Sequence, residues 1–235
     1  MSDPTRDFGR ELYPFLYAQT PNVESTLPAL LAAVRRSTLD KCAEVVALRR
    51  ELLAEYGETL DRAAQAMAER FARGGKLLAF GNGGSATDAD DAAADCALPA
   101  RIGWHALPAL SLPADCATMS AVANDIGVEH SFVRQLVALG EATDIALGIS
   151  TSGQASNVIA GLAEARRRGM LTVALTGYDG GAIARDGHVD FCFVARREFV
   201  PRIQEGHATL WHILLTLVHD RLAGRAFVPS LEHTT

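Results

Sequence analysis

Acidic, amide and imidazole side chains stand at helical spacing in two separate stretches of the chain. Asp91 and Asp95 are four residues apart, and Gln204 and His212 are eight residues apart. On a helix, both spacings bring the two side chains to one face. A carboxylate and an imidazole that converge from two helices can take up and return protons during a reaction. The structural alternative places the aspartates on a solvated acidic helix face and His212 in the core.

Two segments rich in glycine and hydroxyl residues have the composition of an anion site. They are Gly81–Ser85 (GNGGS) and Ser150–Gly153 (STSG), and each stands between an apolar run and a predicted helix. Glycines let backbone N–H groups approach a phosphate, a helix N-terminus adds a positive dipole end, and hydroxyls donate hydrogen bonds. Taken singly, the first segment is equally consistent with a tight connection and the second with a helix N-cap.

Signatures of other sites are not met. The P-loop pattern G-x-x-x-x-G-K-[ST] does not occur, and residues 101–106 lack the acidic residue that a dinucleotide fingerprint needs to bind a ribose. Lys41 and Lys76 are the only lysines, one in a predicted helix and one at the start of a predicted strand. The sequence therefore disfavours a nucleotide site and a Schiff-base lysine.

The elements that must position these residues alternate between strand and helix. Short apolar runs predict strands over 76–80, 106–112, 144–149, 171–176 and 189–194, and helical periodicity lies over 85–98, 115–124, 129–139, 155–168, 180–185 and 201–222. Continuous apolar strands separated by helices indicate a parallel sheet covered on both faces. Residues 23–73 are helical in pattern, with Gly57 as a break between two helices. We expect an N-terminal arm and helix over 1–37, an α/β domain over 38–225 and a tail over 226–235.

Composition limits the class of protein. The formal net charge of −6 argues against a general nucleic-acid binder. The four cysteines form no C-x-x-C pair, which is typical of free thiols in a reducing compartment. No apolar run approaches the roughly 18 residues of a membrane span, and the first ten residues lack the apolar region of a secretory signal. We expect a cytoplasmic protein with no nucleic-acid or membrane partner.

Five motifs together carry a family resemblance. They are GNGGSATDAD at 81–90, NDIG at 124–127, LGISTSGQASNVI at 147–159, ALTGYDGG at 174–181 and RIQEGH at 202–207. In this order they resemble the phosphoheptose isomerase family of SIS (sugar isomerase) domain proteins, over roughly residues 40–222. The resemblance implies a flavodoxin-like three-layer sandwich with a five-stranded parallel sheet, and a homotetramer with sites at subunit interfaces. It implies substrate and phosphate contacts from Asn82, Gly83, Gly84, Ser85, Asp125, Ser150, Thr151, Ser152 and Gln204.

The resemblance also implies a reaction and a metal. The reaction converts sedoheptulose 7-phosphate to D-glycero-D-manno-heptose 7-phosphate through an enediol, with Asp95 as the base and His212 as its acid/base partner. Zinc-type members hold the metal with His, Glu, Gln and His, and the matching positions here are Asp91, Asp95, Gln204 and His212. Two aspartates make the site richer in oxygen, so manganese or magnesium becomes more plausible beside zinc. Aspartate is also one methylene shorter than glutamate, and misplacement by about 1 Å can cost on the order of 100-fold in rate.

A different class of function stays open. Some relatives of this family are non-catalytic SIS proteins that bind a phosphosugar or a partner such as the bacterial replication initiator. The GYDGG segment at 177–181 also occurs in that group, whereas those relatives typically lose the residue that matches His212. A sugar-phosphate sensor domain of a transcription regulator is the third reading, but no helix-turn-helix segment is evident before residue 40.

Overall fold

The structure, a computed structural model, describes residues 27–224, so the predicted irregular arm over 1–22 and the tail over 226–235 lie outside it. In chain order its elements are α1 (Leu27–Ala72), β1 (Leu77–Gly81), α2 (Gly84–Ala97), β2 (Ala109–Ser111), a 3-10 turn (Leu112–Ala114), α3 (Cys116–Asp125), a second 3-10 turn (Val128–His130), α4 (Ser131–Leu139), β3 (Ile145–Ser150), α5 (Ser156–Arg167), β4 (Leu171–Gly177), α6 (Gly181–Arg185), β5 (Phe191–Ala195) and α7 (Val200–Leu222). Each predicted strand and helix after residue 75 has a counterpart.

The five strands form one parallel sheet in the order β2-β1-β3-β4-β5. This is the flavodoxin-like order. After β1 the chain adds β2 on one side, then crosses back and adds β3, β4 and β5 on the other side, so the switch point lies between β1 and β3. Every residue of β1, β3 and β4 is buried, as expected for strands covered on both faces. The predicted five-stranded parallel sheet is confirmed.

Alternate residues of each strand pack into two separate cores. Leu77, Ile145 and Val173 face a core that contains side chains from α1, α2 and α7. Leu78 and Ala146 face the other core, which contains side chains from α4, α5 and α6. Because successive side chains of a strand point to opposite faces, this arrangement produces the three layers of the predicted sandwich.

Two local predictions were wrong. Gly57 does not separate two helices, because α1 continues through it. A glycine inside a helix lowers its stability by only about 1 kcal/mol relative to alanine. The neighbouring turns of α1 are held by Leu52 and Leu60, whose side chains are buried in the core. The strand predicted over 106–112 contains only Ala109–Ser111. Pro108 precedes it and has no N–H to donate, although its carbonyl accepts a hydrogen bond from Leu77 N at 2.9 Å.

The chain divides into two compact units, Met1–Ala43 and Glu44–Thr235. The predicted boundary at residues 37/38 falls inside α1, so the domain limits stay a prediction. In the first unit, Leu30, Leu31, Val34 and Leu39 are all at least half exposed.

One residue left open by the sequence has a structural role. Lys76 pairs with buried Asp144, with 2.6 Å between Lys76 Nζ and Asp144 Oδ2, and Asp144 Oδ1 also accepts a hydrogen bond from Lys76 N at 2.9 Å. Both residues precede their strands and therefore lie at the amino edge of the sheet. This is the edge opposite the expected ligand site.

Candidate active site

The two anion-type turns meet at the carboxyl edge of neighbouring strands. Gly81–Ser85 joins β1 to α2, and Ser150–Gly153 leads from β3 toward α5. Since β1 and β3 are adjacent while α2 and α5 pack on opposite faces of the sheet, the turns diverge there and leave a crevice. Ligands of open parallel sheets bind at this switch point.

A pair of asparagines links the first turn to the N-terminal end of α5, the helix that follows the second turn. Asn82 Nδ2 donates to Asn157 Oδ1 at 2.8 Å, and Asn157 Nδ2 donates back to Asn82 Oδ1 at 2.9 Å. Asn157 is buried and also lies 3.4 Å from Ser131 Oγ. This reciprocal pair holds the first turn against the start of α5. Sequence reasoning missed Asn157, and the only available signal was its place in the motif at 147–159.

The predicted hydroxyls differ in exposure. Ser85 and Ser150 are buried, Thr151 is half-buried, and Ser152 is exposed and accepts a hydrogen bond from Gln154 N at 3.2 Å. Gly153 closes the turn with φ of 62°, and a Cβ there would lie 2.1 Å from the carbonyl oxygen of Gly180. Only glycine fits this close approach, so the hydroxyls are held by a backbone that cannot accept a larger residue.

Asp95 and His212 come together from α2 and α7. His212 Nε2 lies 3.4 Å from Asp95 Oδ2, and the two side chains are 65% and 35% exposed respectively. A carboxylate beside a solvent-accessible imidazole can exchange protons with a small molecule. The structure thus brings together the two residues predicted to be catalytic.

Trp211 completes this pair. Its indole Nε1–H donates to Asp95 Oδ2 at 3.0 Å, and the side chain is buried. Spacing and composition do not distinguish this tryptophan from an ordinary core residue.

A second aspartate–histidine pair lies deeper between the same helices. His207 Nδ1 is 4.0 Å from Asp88 Oδ2, and neither atom has a hydrogen-bond partner among the described residues. His207 Nε2 lies 2.9 Å from the carbonyl oxygen of Thr176. Burial lowers the pKa of His207 to about 4. Burial, together with the nearby charge of Asp91, raises the pKa of Asp88 to about 6, and a hydrogen bond with Gln204 opposes that rise.

The remaining predicted residues surround these pairs. Gln204 is half-buried against Gly84, where an added Cβ would lie 2.1 Å from Gln204 Nε2. Asp91 is exposed and lines a cavity of about 50 Å³ together with Asp88, His207 and His212. Asp125 is the last residue of α3, exposed, and accepts a hydrogen bond from Asn124 Nδ2 at 2.9 Å. Gly83 lies in the first turn, with φ of 55°.

The predicted metal ligands do not form a ready-made metal site. Between residues 27 and 224, no three His, Cys, Asp or Glu side chains, Asp91, Asp95 and His212 included, are grouped closely enough to hold a metal ion. Asp95 Oδ2 is instead occupied by the Trp211 N–H. In this arrangement Asp91, Asp95 and His212 are not gathered around one ion, so the metal stays an expectation and we derive no chemical step through it.

Comparison with known proteins agrees with this architecture. Residues 42–177 match the family model of the SIS domain. The chain is 39% identical over 187 residues to a phosphoheptose isomerase of Roseiflexus, covering 80% of this chain and 94% of the relative. It is 45% identical over 162 residues to a phosphoheptose isomerase of Pelobacter propionicus, covering 69% and 84%. The chain belongs to the phosphoheptose isomerase family of SIS-domain proteins.

A solved structure extends the agreement to three dimensions. The phosphoheptose isomerase of Neisseria gonorrhoeae superposes with a TM-score of 0.71 at 35% identity, covering 78% of this chain and 98% of that one. The family and the fold predicted from the motifs are therefore confirmed. The roles of the individual site residues stay predictions.

Among the helices of residues 27–224, none combines the length and the apolar character that a membrane span requires.

Proposed function

We propose that this chain is a phosphoheptose isomerase that interconverts sedoheptulose 7-phosphate and D-glycero-D-manno-heptose 7-phosphate. The observation that carries the proposal is the Asp95–His212 contact of 3.4 Å, made by a chain whose relatives are named phosphoheptose isomerases. A non-catalytic relative would not need this accessible acid/base pair. Its presence favours the enzyme over a protein that only binds a phosphosugar or a partner.

The phosphate would bind at the crevice between β1 and β3. Ser85, Ser150, Thr151 and Ser152 supply hydroxyl donors, and the N-terminus of α2 adds backbone N–H groups and a positive dipole end. Asn82 and Asp125 would contact sugar hydroxyls. An open groove of about 580 Å³ beside His212, lined in part by Arg49 and Arg101, leaves room for the polyol chain of a seven-carbon sugar.

The isomerisation needs one proton to move between adjacent carbons. Asp95 takes the proton from C1 of the ketose, and the C1–H electron pair forms the C1–C2 double bond of the enediol. Returning that proton to C2 gives the aldose. His212 protonates O2 as the enediol forms and takes the proton from O1 as the enediol collapses, so one hydroxyl proton moves from O1 to O2 and the atoms balance without an oxidant or reductant.

Three further expectations remain proposals. A bound divalent metal would supply polarisation of the substrate carbonyl, and metal analysis of the purified protein tests whether one is present. A homotetramer is compatible with the exposed apolar side chains of Leu30, Leu31, Val34 and Leu39, and light scattering measures the assembly. A cytoplasmic location is tested by cell fractionation.

The proposed activity is tested by mixing the purified protein with sedoheptulose 7-phosphate and following the aldose anomeric proton by NMR. Unphosphorylated sedoheptulose is the matched control and should react far more slowly, because it cannot use the hydroxyl-rich turns. Calorimetry on the same samples measures binding. Binding of the phosphosugar without turnover would contradict the isomerase and favour a non-catalytic SIS protein.

A further inference from the structure

The Trp211 indole makes a buried hydrogen bond to the carboxylate that we assign as the base. Its Nε1 lies 3.0 Å from Asp95 Oδ2, and Trp211 is 4% exposed. A buried indole N–H needs an acceptor, and a hydrogen bond to an ionised acceptor is about twice as strong as a neutral one. The contact joins α7 to α2, the two helices that carry His212 and Asp95.

The contact also fixes which carboxylate oxygen is available. His212 Nε2 lies 3.4 Å from the same Asp95 Oδ2 that accepts the Trp211 N–H. With Oδ2 engaged from α7 by both side chains, Oδ1 is the oxygen left to take a proton from the substrate. Without the indole, a side chain that is 35% exposed would rotate more freely.

The short side chain at position 95 makes this restraint more important. The family motif has glutamate there, and aspartate reaches one methylene less far. A shorter base can meet the substrate carbon only within a narrow range of orientations, and proton abstraction depends steeply on that geometry. We propose that Trp211 is a positioning residue that holds the Asp95 carboxylate in its reactive orientation. This inference rests on the proposed isomerase function.

The test removes the N–H while keeping the ring. Benzothienylalanine at position 211 replaces the indole N–H by sulfur with almost unchanged shape, and Trp211→Phe is the simpler second variant. We expect kcat to fall by about 10- to 100-fold, with KM for sedoheptulose 7-phosphate nearly unchanged. Trp104→Phe is the matched control, because Trp104 stacks on His219 with ring centroids 4.1 Å apart and makes no contact with Asp95 that the structure records. It should keep the wild-type kcat.

NMR of the indole groups provides a readout that does not need activity. The chain has two tryptophans, so Trp211→Phe assigns both indole N–H signals. Asp95→Ala should shift the Trp211 signal and speed its exchange with solvent, whereas Asp91→Ala should leave it in place.

The outcomes separate the two claims. Wild-type kcat in the benzothienylalanine protein, or a Trp211 signal indifferent to Asp95→Ala, would overturn the positioning role and leave the isomerase intact. A wild-type protein that turns over no sedoheptulose 7-phosphate would overturn the proposed function, and the NMR signal would then decide whether the contact exists.

Discussion

Helices α2 and α7 present two aspartate–histidine pairs that differ mainly in their environment. The inner pair, Asp88 and His207, is largely buried, with the His207 side chain 0% exposed. The outer pair, Asp95 and His212, is 35% and 65% exposed. The inner atoms are 4.0 Å apart without hydrogen-bond partners in the described residues, and the outer atoms are 3.4 Å apart with a donor from Trp211.

Burial therefore divides the same residue types into two roles. The inner histidine is held neutral, because burial lowers its pKa to about 4, and it is tied to the end of β4 through Thr176 O. Its side chain has no exposed surface. The outer histidine is exposed, so a small molecule from solution can contact it. We assign packing of α7 to the inner pair and proton transfer to the outer pair.

The largest expected effect comes from breaking the outer pair. Asp95→Asn removes the base and His212→Ala removes its partner, so each should lower kcat by roughly 100- to 10,000-fold. The measurement is the initial rate of aldose formation by NMR. Both variants should unfold in urea close to the wild-type midpoint, since the outer side chains are not core residues. A rate within a few-fold of wild type in either variant would remove that residue from the mechanism.

Breaking the inner pair should instead affect stability. His207→Ala leaves a cavity and deprives the Thr176 carbonyl of the His207 Nε2–H. We expect the free energy of unfolding to fall by about 2–4 kcal/mol, measured by urea denaturation. His212→Ala is the matched control on the same helix. Equal destabilisation by the two variants would mean that burial does not distinguish the pairs.

The shifted pKa values of the inner pair predict that folding stability depends on pH in opposite directions in two variants. The folded pKa of His207 is about 4 against 6.5 for the free side chain, so the unfolded state binds this proton first as pH falls below 6.5. That linkage lowers stability between pH 6.5 and pH 4. The folded pKa of Asp88 is about 6 against 3.8, so the folded state binds that proton first. That linkage raises stability as pH falls from 6 to 3.8, and in the wild type the two effects oppose each other.

Removing one titrating group of the inner pair isolates the linkage of the other. Relative to wild type, Asp88→Asn should lose stability on acidification from pH 6.5 to pH 4, whereas His207→Gln should gain it, each by on the order of 2 kcal/mol. Urea midpoints measured across this range give the two slopes. Slopes of the same sign would contradict the assigned protonation states.

The smallest expected effect concerns Gln204, which contacts Asp88 of the inner pair and packs on the first turn. In Gly84→Ala the new Cβ would lie 2.1 Å from Gln204 Nε2, so the amide must move. Because the side chain is flexible, we expect KM to rise only about 3- to 10-fold, in line with a cost of about 1 kcal/mol. An unchanged KM would show that Gln204 does not contact the substrate.

The sequence predicted those features that depend on local spacing or on family motifs. Apolar runs located the five strands, and the spacing of Asp91 and Asp95 correctly placed both on one helix. The strand order came from the resemblance, because alternation of strands and helices does not fix which strands are neighbours. Only β2 was strongly overestimated: its apolar run extends on both sides of Ala109–Ser111, although Pro108, which has no N–H to donate, directly precedes the strand.

Contacts between distant side chains could not be predicted in this way. Asn82 and Asn157 are 75 residues apart and meet only because β1 and β3 are adjacent. Trp211 looks like a core residue in the sequence, and its N–H gains a role only because α2 packs against α7. Likewise, nothing in the residue types separates His207 from His212. Their difference is burial, which is a property of the folded chain.

Solvent isotope exchange tests the division between the two pairs most directly. The reaction is run in D2O with sedoheptulose 7-phosphate, and NMR follows deuterium entering the carbon-bound position that the base deprotonates. Our account predicts incorporation by the wild type and by His207→Gln, and none by Asp95→Asn. Incorporation that persists in Asp95→Asn, or that is lost in a folded His207→Gln protein, would contradict the assignment of proton transfer to the outer pair.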